Sequence, residues 1–222
     1  MERFFAIVNP AAGGGRSAKL AGPALARLRE AGLHIDVIAS TSAGHATQLA
    51  KEAFDQGYRQ FIAVGGDGTA HEVLNGVFAA GAAQRRISLG FLPLGTGNSF
   101  LRDFTNDGAD ASLNAILEGR KRPIDIVKLT HTGGEIYSFN LMSIGFTADV
   151  GALTNRRFKP LGHLGYLLGV FVCVAQLNRR PFALRCDDDK EWDERRSLRE
   201  KRLSKGTGDL SQWAAMEPHT KS

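Results

Sequence analysis

Cysteine is nearly absent. Cys173 and Cys186 are the only two in 222 residues, and neither sits in a Cys-x-x-Cys pair. A disulfide framework, a zinc ribbon and a dithiol redox site are therefore excluded, and a reducing, cytoplasmic compartment is expected. Histidine is almost as scarce, and no two histidines stand at metal-ligand spacing. His45 and His71, each near the start of a helix beside a glycine loop, are read for packing or hydrogen bonding. Aromatic residues make up only 8% and do not interleave with basic ones, so the net charge of +5 does not predict a nucleic-acid partner. There is no internal repeat. Nor is there an apolar run of the roughly 20 residues a membrane span needs. The most apolar stretch, "LGHLGYLLGVFVCVAQL" (161–177), is broken by His163 and three glycines. It predicts a buried helix, with a helix resting on a membrane as the alternative. The opening "MERFFAIVNP" has no cleavage site and reads as a first strand, not a signal peptide.

What the chain has is apolar residues, at 43%, and 26 glycines. Short apolar runs at 3–8, 34–40, 60–64 and 87–94 alternate with helical patterns at 16–31, 43–57 and 67–80, the first carrying Leu20, Leu25 and Leu28. Strands apolar along their whole length, separated by helices, predict a doubly wound α/β fold with a mainly parallel sheet covered on both faces. One more helix is expected at 110–119. From residue 123 the pattern changes: "PIDIVKLTHTGGEIYSFNLMSIGF" predicts two strands around a Gly-Gly turn, the start of an antiparallel β domain. "RPFALRC" (180–186) reads as a further strand. The expected organisation is an α/β domain over 1–122, an incomplete β-rich domain over 123–186, and a tail over 187–222. That tail carries 17 charged side chains in 36 residues and is expected to be disordered.

Three loops join a strand to a helix on one edge of the predicted sheet: "NPAAGGGRS", "GGDGT" and "LGTGNS". Ligands of open α/β sheets gather at that edge, where glycine lets backbone N–H groups approach a phosphate and the following helix favours its charge. Gly65, Gly66 and Gly68 are expected to clear space for a polyphosphate. A carboxylate among phosphates repels them unless it holds Mg²⁺, directly or through water, or accepts the proton of an attacking hydroxyl. Asp67 is therefore a candidate for either role. As a helix cap it would need no flanking Gly-Gly and Gly-Thr.

"NPAAGGGR", "TSAGHATQLAKEA", "GGDGTAHEVLNGV" and "LPLGTGNSF", in this order, resemble the catalytic domain of the diacylglycerol kinase and sphingosine kinase superfamily, its soluble bacterial lipid kinases above all. The resemblance covers about residues 3–185. It implies transfer of the ATP γ-phosphoryl group to a diacylglycerol-like or sphingoid-like lipid hydroxyl, with ATP and Mg²⁺ bound, the lipid met at a membrane surface, and room for a homodimer. By the same resemblance Asn9, Pro10, Ala11, Ala12 and Gly13 line the phosphates, with Arg16 as a counter-charge. Thr41, the turn through Gly66, Asp67, Gly68, Thr69, Ala70, His71 and Glu72, and then Gly95, Thr96 and Asn98 contact nucleotide. Asp67 and Asp125 stand at the reacting centre, Asp67 also toward Mg²⁺. "GGDGT" alone is shared with NAD kinases and phosphofructokinases, so an NAD kinase-like enzyme is the alternative, opposed by "NPAAGGGR" and "GTGNSF".

Two departures stand out. Many bacterial relatives carry Asn-Asp where this chain has Asn98-Ser99, which removes a second carboxylate from the site. Relatives also continue past "PF-x-L-x-x-D" into a β-sandwich that brings the general base, whereas residues 187–222 resemble nothing in the family and read as a frameshifted or truncated end. A nucleotide-binding module impaired in transfer is the further alternative.

Overall fold

The computed structural model describes residues 3–82, 85–95, 98–102, 108–140, 146–158, 162–175, 183–186 and 190–193. It divides into two compact units, residues 1–142 and 143–222. In the first unit β1 (Arg3–Val8), α1 (Arg16–Glu30), β2 (His34–Ala39), α2 (His45–Asp55), β3 (Gln60–Gly65), α3 (Asp67–Ala79) and β4 (Ser88–Pro93) alternate. The short α4 (Ser99–Arg102), α5 (Gly108–Leu117) and the strands β5 (Val127–His131) and β6 (Gly134–Ser138) follow. β1 to β4 form a parallel sheet in the order β2-β1-β3-β4, as the apolar runs predict. β5 and β6 pair antiparallel around Thr132-Gly133 in a separate two-stranded sheet.

Successive strand residues face opposite sides, and in β1, β3 and β4 both sides are covered, whereas the edge strand β2 buries Ile35 alone. Ile7, Phe61, Ala63 and Phe91 meet Leu49, Ala50, Phe54, Ala70, Val73 and Val77 of α2 and α3. The intervening Ala6, Val8, Ile62, Val64 and Leu92 meet Leu25, Leu28 and Leu113 of α1 and α5. Each fully buried Val, Ile, Leu or Phe here contributes about 1.5–3 kcal/mol by leaving water. The α1 stripe differs from the one expected: Ser17, Ala21, Leu25 and Leu28 turn inward at helical spacing, while Leu20 is exposed. α2 and α3 approach closely because Gly76 has no side chain. A Cβ there would collide with the Thr47 carbonyl and lie 2.8 Å from the Ala50 Cβ.

At the far end of the sheet from the glycine loops, the Tyr58 hydroxyl donates to Asp36 Oδ2 at 2.6 Å and the Arg3 guanidinium donates to the same oxygen at 2.9 Å. The Tyr58 hydrogen bond and then the Arg3 hydrogen bond hold the Asp36 carboxyl below its ordinary value of 3.8. A depressed carboxyl stabilises the fold above its unfolded pKa, and that contribution fades as pH falls through the lowered value. Asp36→Asn is therefore expected to lower the melting temperature at neutral pH. The gap between parent and variant should close in thermal melts taken below pH 3.8. The side chains are half-exposed, so the shift is small; a gap that stays constant with pH would assign the effect to packing.

The second unit contains α6 (Phe146–Leu153), a π-helical turn (Thr154–Phe158), α7 (Gly162–Ala175) and an antiparallel pair, β7 (Ala183–Cys186) and β8 (Lys190–Asp193). β8 lies inside the segment expected to be disordered; its complementary ladder with β7 gives those four residues backbone partners. Residues 194–222 lie outside the described residues. α7 confirms the predicted helix but not its burial. Leu167, Phe171 and Val174 are 53%, 71% and 55% exposed; among the described residues α7 packs mainly against α6 and the π-helical turn. Among the described residues no helix is long and apolar enough to cross a membrane.

Candidate active site

The loops after β1, β3 and β4 leave adjacent strands, so the sheet order brings all three together. They touch through backbone. Asn9 N–H donates to the Val64 carbonyl and Gly95 N–H to the Gly65 carbonyl, each at 2.9 Å. A Cβ on Gly13 would stand 2.5 Å from the Leu94 carbonyl oxygen, and one on Gly95 would stand 2.5 Å from the Gly66 Cα. Arg16, expected as a counter-charge, reaches across and donates to the Gly95 carbonyl at 3.1 Å, tying the first loop to the last.

The first loop is largely occupied with itself. Asn9 Oδ1 accepts from Ala11 N–H at 3.1 Å, and its Nδ2 donates to Thr69 Oγ1 at 3.2 Å. The N–H groups of Ala12, Gly15, Arg16 and Ser17 bond to carbonyls within the loop, and Pro10 has none. Of the residues expected to line phosphates, Gly13 alone keeps an N–H without a protein acceptor among the described residues. Gly14, which the motif reading passed over, offers a second. Gly13, Gly14 and Gly15 have φ of 64°, 65° and 90°, the left-handed region that glycine alone enters freely.

The glycines of the second loop, after β3, divide by role. A Cβ on Gly65 would run into the Thr69 side chain, so this glycine serves packing and not, as expected, ligand space. At Gly68 the backbone is ordinary and nothing lies within 4 Å of a Cβ, so the space beside it is open. α3 starts directly at Asp67 with extended Gly66 as its N-cap and no side-chain cap. Thr69 and Ala70 both donate to the Gly66 carbonyl, and their side chains are buried, so neither presents a group to a ligand. Glu72 is also engaged elsewhere: its Oε2 accepts from Ala46 N–H at 3.1 Å, capping α2.

Asp67 caps a helix, though not its own. Its Oδ2 accepts from Ser99 N–H at 2.9 Å and from Ser99 Oγ at 2.7 Å, while Oδ1 takes only a long 3.4 Å bond from Phe100 N–H. Oδ1 is thus the oxygen with capacity left. Ser99 Oγ in turn accepts from Asn140 Nδ2 at 3.0 Å. Ser99 therefore supplies Asp67 with two donors, its N–H and its hydroxyl. Asn98 Nδ2 donates to the Pro93 and Gly95 carbonyls at 3.3 and 3.2 Å, which fixes the amide and leaves Oδ1 buried without a partner among the described residues.

Beside Asp67 opens a hollow of about 440 Å³ lined by Asp67, Gly68, His71, Ser99, Ser138, Phe139 and Asn140. Phe139 packs edge-on against Phe100 with ring centres 4.4 Å apart, closing one wall. Ser138, Phe139 and Asn140 were not picked out from sequence, since nothing in "YSFN" marks them as neighbours of the aspartate loop. Asp125 is exposed in the extended segment before β5 and is not among the lining residues. Thr41 and His45 face each other: Thr41 N–H donates to His45 Nδ1 at 3.1 Å and its hydroxyl lies 2.9 Å away. Thr96 lies outside the described residues. Among the described residues no three His, Cys, Asp or Glu side chains form a metal cluster.

The chain is similar to kinases along most of its described length. It is 36% identical over 143 residues to "Probable lipid kinase YegS-like" of Cronobacter sakazakii, covering 64% of this chain and 46% of that protein. It is 30% identical over 190 residues to "Diacylglycerol kinase" of Staphylococcus saprophyticus, covering 85% of this chain and 60% of that one. A crystal structure from Bacillus anthracis str. Sterne, provisionally named a diacylglycerol kinase, superposes with a TM-score of 0.52 at 27% identity. That match covers 69% of this chain and 54% of the other. The chain spans about half the length of the curated relatives it matches. The diacylglycerol kinase catalytic domain matches residues 3–129, which takes in β1 to β4 and all three loops, and the chain belongs to that family.

Proposed function

We propose that the chain transfers the γ-phosphoryl group of ATP to the hydroxyl of a lipid, diacylglycerol-like or sphingoid-like, presented at a membrane surface. The observation that supports this most is the convergence of three glycine loops, from adjacent parallel strands, on one carboxylate bordered by open space. The N–H groups of Gly13 and Gly14 and the uncapped start of α3 suit the triphosphate. The orphaned Asn98 Oδ1 suits a donor on the nucleotide, such as an amine or a ribose hydroxyl.

In the transfer, the bond between the γ-phosphorus and the β-bridging oxygen breaks and one to the lipid oxygen forms. ADP leaves, and the hydroxyl proton passes to a base. Mg²⁺, when bound with the nucleotide, supplies neutralisation of phosphate charge; Asp67 Oδ1 is the group to hold it, since such ions commonly take one or two carboxylates plus phosphates. Ser99 keeps Oδ2 occupied and so fixes the carboxylate's orientation. Phe139, its ring packed on Phe100, gives the hollow one apolar side.

The test is thermal melting with Mg-ATP followed by transfer from radiolabelled ATP to extracted lipid or to NAD. A ligand at 100 times its Kd stabilises the fold by about 2.7 kcal/mol, a rise of several degrees. Label in lipid is expected. An unchanged melt at millimolar Mg-ATP sinks the site assignment, label in NAD sinks the lipid acceptor, and stabilisation without transfer favours a nucleotide-binding module.

A further inference from the structure

"EVLNGV" is shared with the family motif, yet Asn75 faces neither Asp67 nor the glycine loops. It stands two turns into α3, half-buried; its Nδ2 lies 3.4 Å from both ring nitrogens of His71, which lines the hollow, and its shorter hydrogen bonds all go to backbone. Nδ2 donates to the Tyr137 carbonyl at 2.9 Å and to the His71 carbonyl at 2.8 Å, and Oδ1 accepts from Tyr137 N–H at 2.9 Å.

A carboxamide has the donor and acceptor of a peptide group. Tyr137 stands opposite Lys128 in the ladder; since its N–H and carbonyl both bond to Asn75 on α3, they turn away from β5, as those of alternate residues in an antiparallel strand do. Asn75 meets both and takes the place of a further strand at that residue. The rings of Phe78 and Tyr137, with centres 4.7 Å apart, seal the same contact. Beyond Tyr137 the chain runs directly into Ser138, Phe139 and Asn140, the far wall of the hollow. Asn140 then donates to Ser99, and Ser99 donates to Asp67.

We infer that Asn75 is a positioning residue: its clamp on Tyr137 fixes the end of β6, which sets Asn140 against Ser99 and, through Ser99, the carboxylate of Asp67. The consequence for nucleotide affinity rests on the proposed function; the consequence for the hydrogen-bond chain does not. An alternative in which Asn75 merely anchors a hairpin predicts effects at Tyr137 and nowhere in the site.

Amide exchange followed by NMR separates these. The variants are Asn75→Ala, Asn75→Asp (isosteric, keeping the acceptor for Tyr137 N–H) and, as a control for lost stability, Val77→Ala in the core face of the same helix. Rates are normalised to Ile62 and Val64 in the sheet. In Asn75→Ala, exchange at Tyr137 is expected to rise about tenfold or more, and Ser99 and Phe100, whose N–H groups donate to Asp67, should accelerate with it. Asn75→Asp should protect Tyr137 partly, and Val77→Ala should leave the normalised rates of all three as in the parent. Mg-ATP affinity should fall in Asn75→Ala but not in Val77→Ala. Acceleration at Tyr137 alone, with Ser99 and Phe100 at parental rates, overturns the proposal, as does an unchanged Tyr137. A parent chain that fails to bind Mg-ATP sinks the nucleotide reading instead, and the exchange rates still decide the role of Asn75.

Discussion

Asp67→Asn is expected to lower phosphoryl transfer by ~10²–10⁴, the usual loss when a group that handles a proton is neutralised. The fold survives the change. The amide keeps one oxygen for Ser99, whose hydroxyl can rotate, and weakening the contacts to Ser99 and Phe100 costs about 1 kcal/mol. The measurement is initial rate against Mg-ATP concentration, with calorimetric binding beside it. A large rise in KM and in Kd assigns Asp67 to the cation; a loss confined to kcat assigns it to the acceptor proton. Retention of more than about a tenth of the parental rate removes Asp67 from the mechanism.

Two alanine substitutions three residues apart are expected to have opposite signatures. Gly65→Ala places a methyl group against Thr69, which is itself buried and bonded to Asn9, and should cost about 1–3 kcal/mol in stability through overpacking. Gly68→Ala meets no protein atom, has ordinary backbone and lies in the first turn of α3, so it should hold or gain up to ~1 kcal/mol. Its methyl group enters the open space instead, and Mg-ATP affinity should fall about tenfold or more, which is the loss of roughly one good contact. Melting and calorimetry on the two variants check this together. Parental affinity in Gly68→Ala would show that the nucleotide does not approach α3 from this side, whatever its effect on stability.

The α/β layers were legible because their signal is local. "RFFAIV" and "QFIAV" are apolar at every position after the first, as strands buried on both faces must be, and they are strands over Arg3–Val8 and Gln60–Gly65. The clustering of the glycine loops was also legible, since each follows a strand in a doubly wound pattern. The division of labour within the loops was not. Gly65 and Gly68 look alike in "GGDG", yet one is packed and the other borders open space, and only the placement of Thr69 separates them. The protein partners of Glu72, Asn75 and Asp67 were not legible, for a common reason. Each bonds backbone N–H or carbonyl groups of a segment distant in sequence, at Ala46, Tyr137 and Ser99, and backbone partners leave no residue-type signature. α7 was misread because an apolar helix looks the same in sequence whether or not a neighbour covers it.

The contact of the three loops through backbone atoms bears on how such a site drifts over generations. Side chains at Pro10, Ala11 and Ala12 can change without altering the spacing, because the N–H and carbonyl groups that set it are present in almost any residue. Loop length has no such freedom. Removing one residue between Asn9 and Arg16 would withdraw Gly13 from Leu94 and the guanidinium from Gly95, and with them the seating of the segment that carries Ser99 to Asp67. Selection on this edge of the sheet is therefore expected to hold the residue count of each loop as strictly as Gly13, Gly65 and Gly95. Insertions and deletions should be purged from the three loops together, while the turns at the opposite end of the sheet remain free to vary.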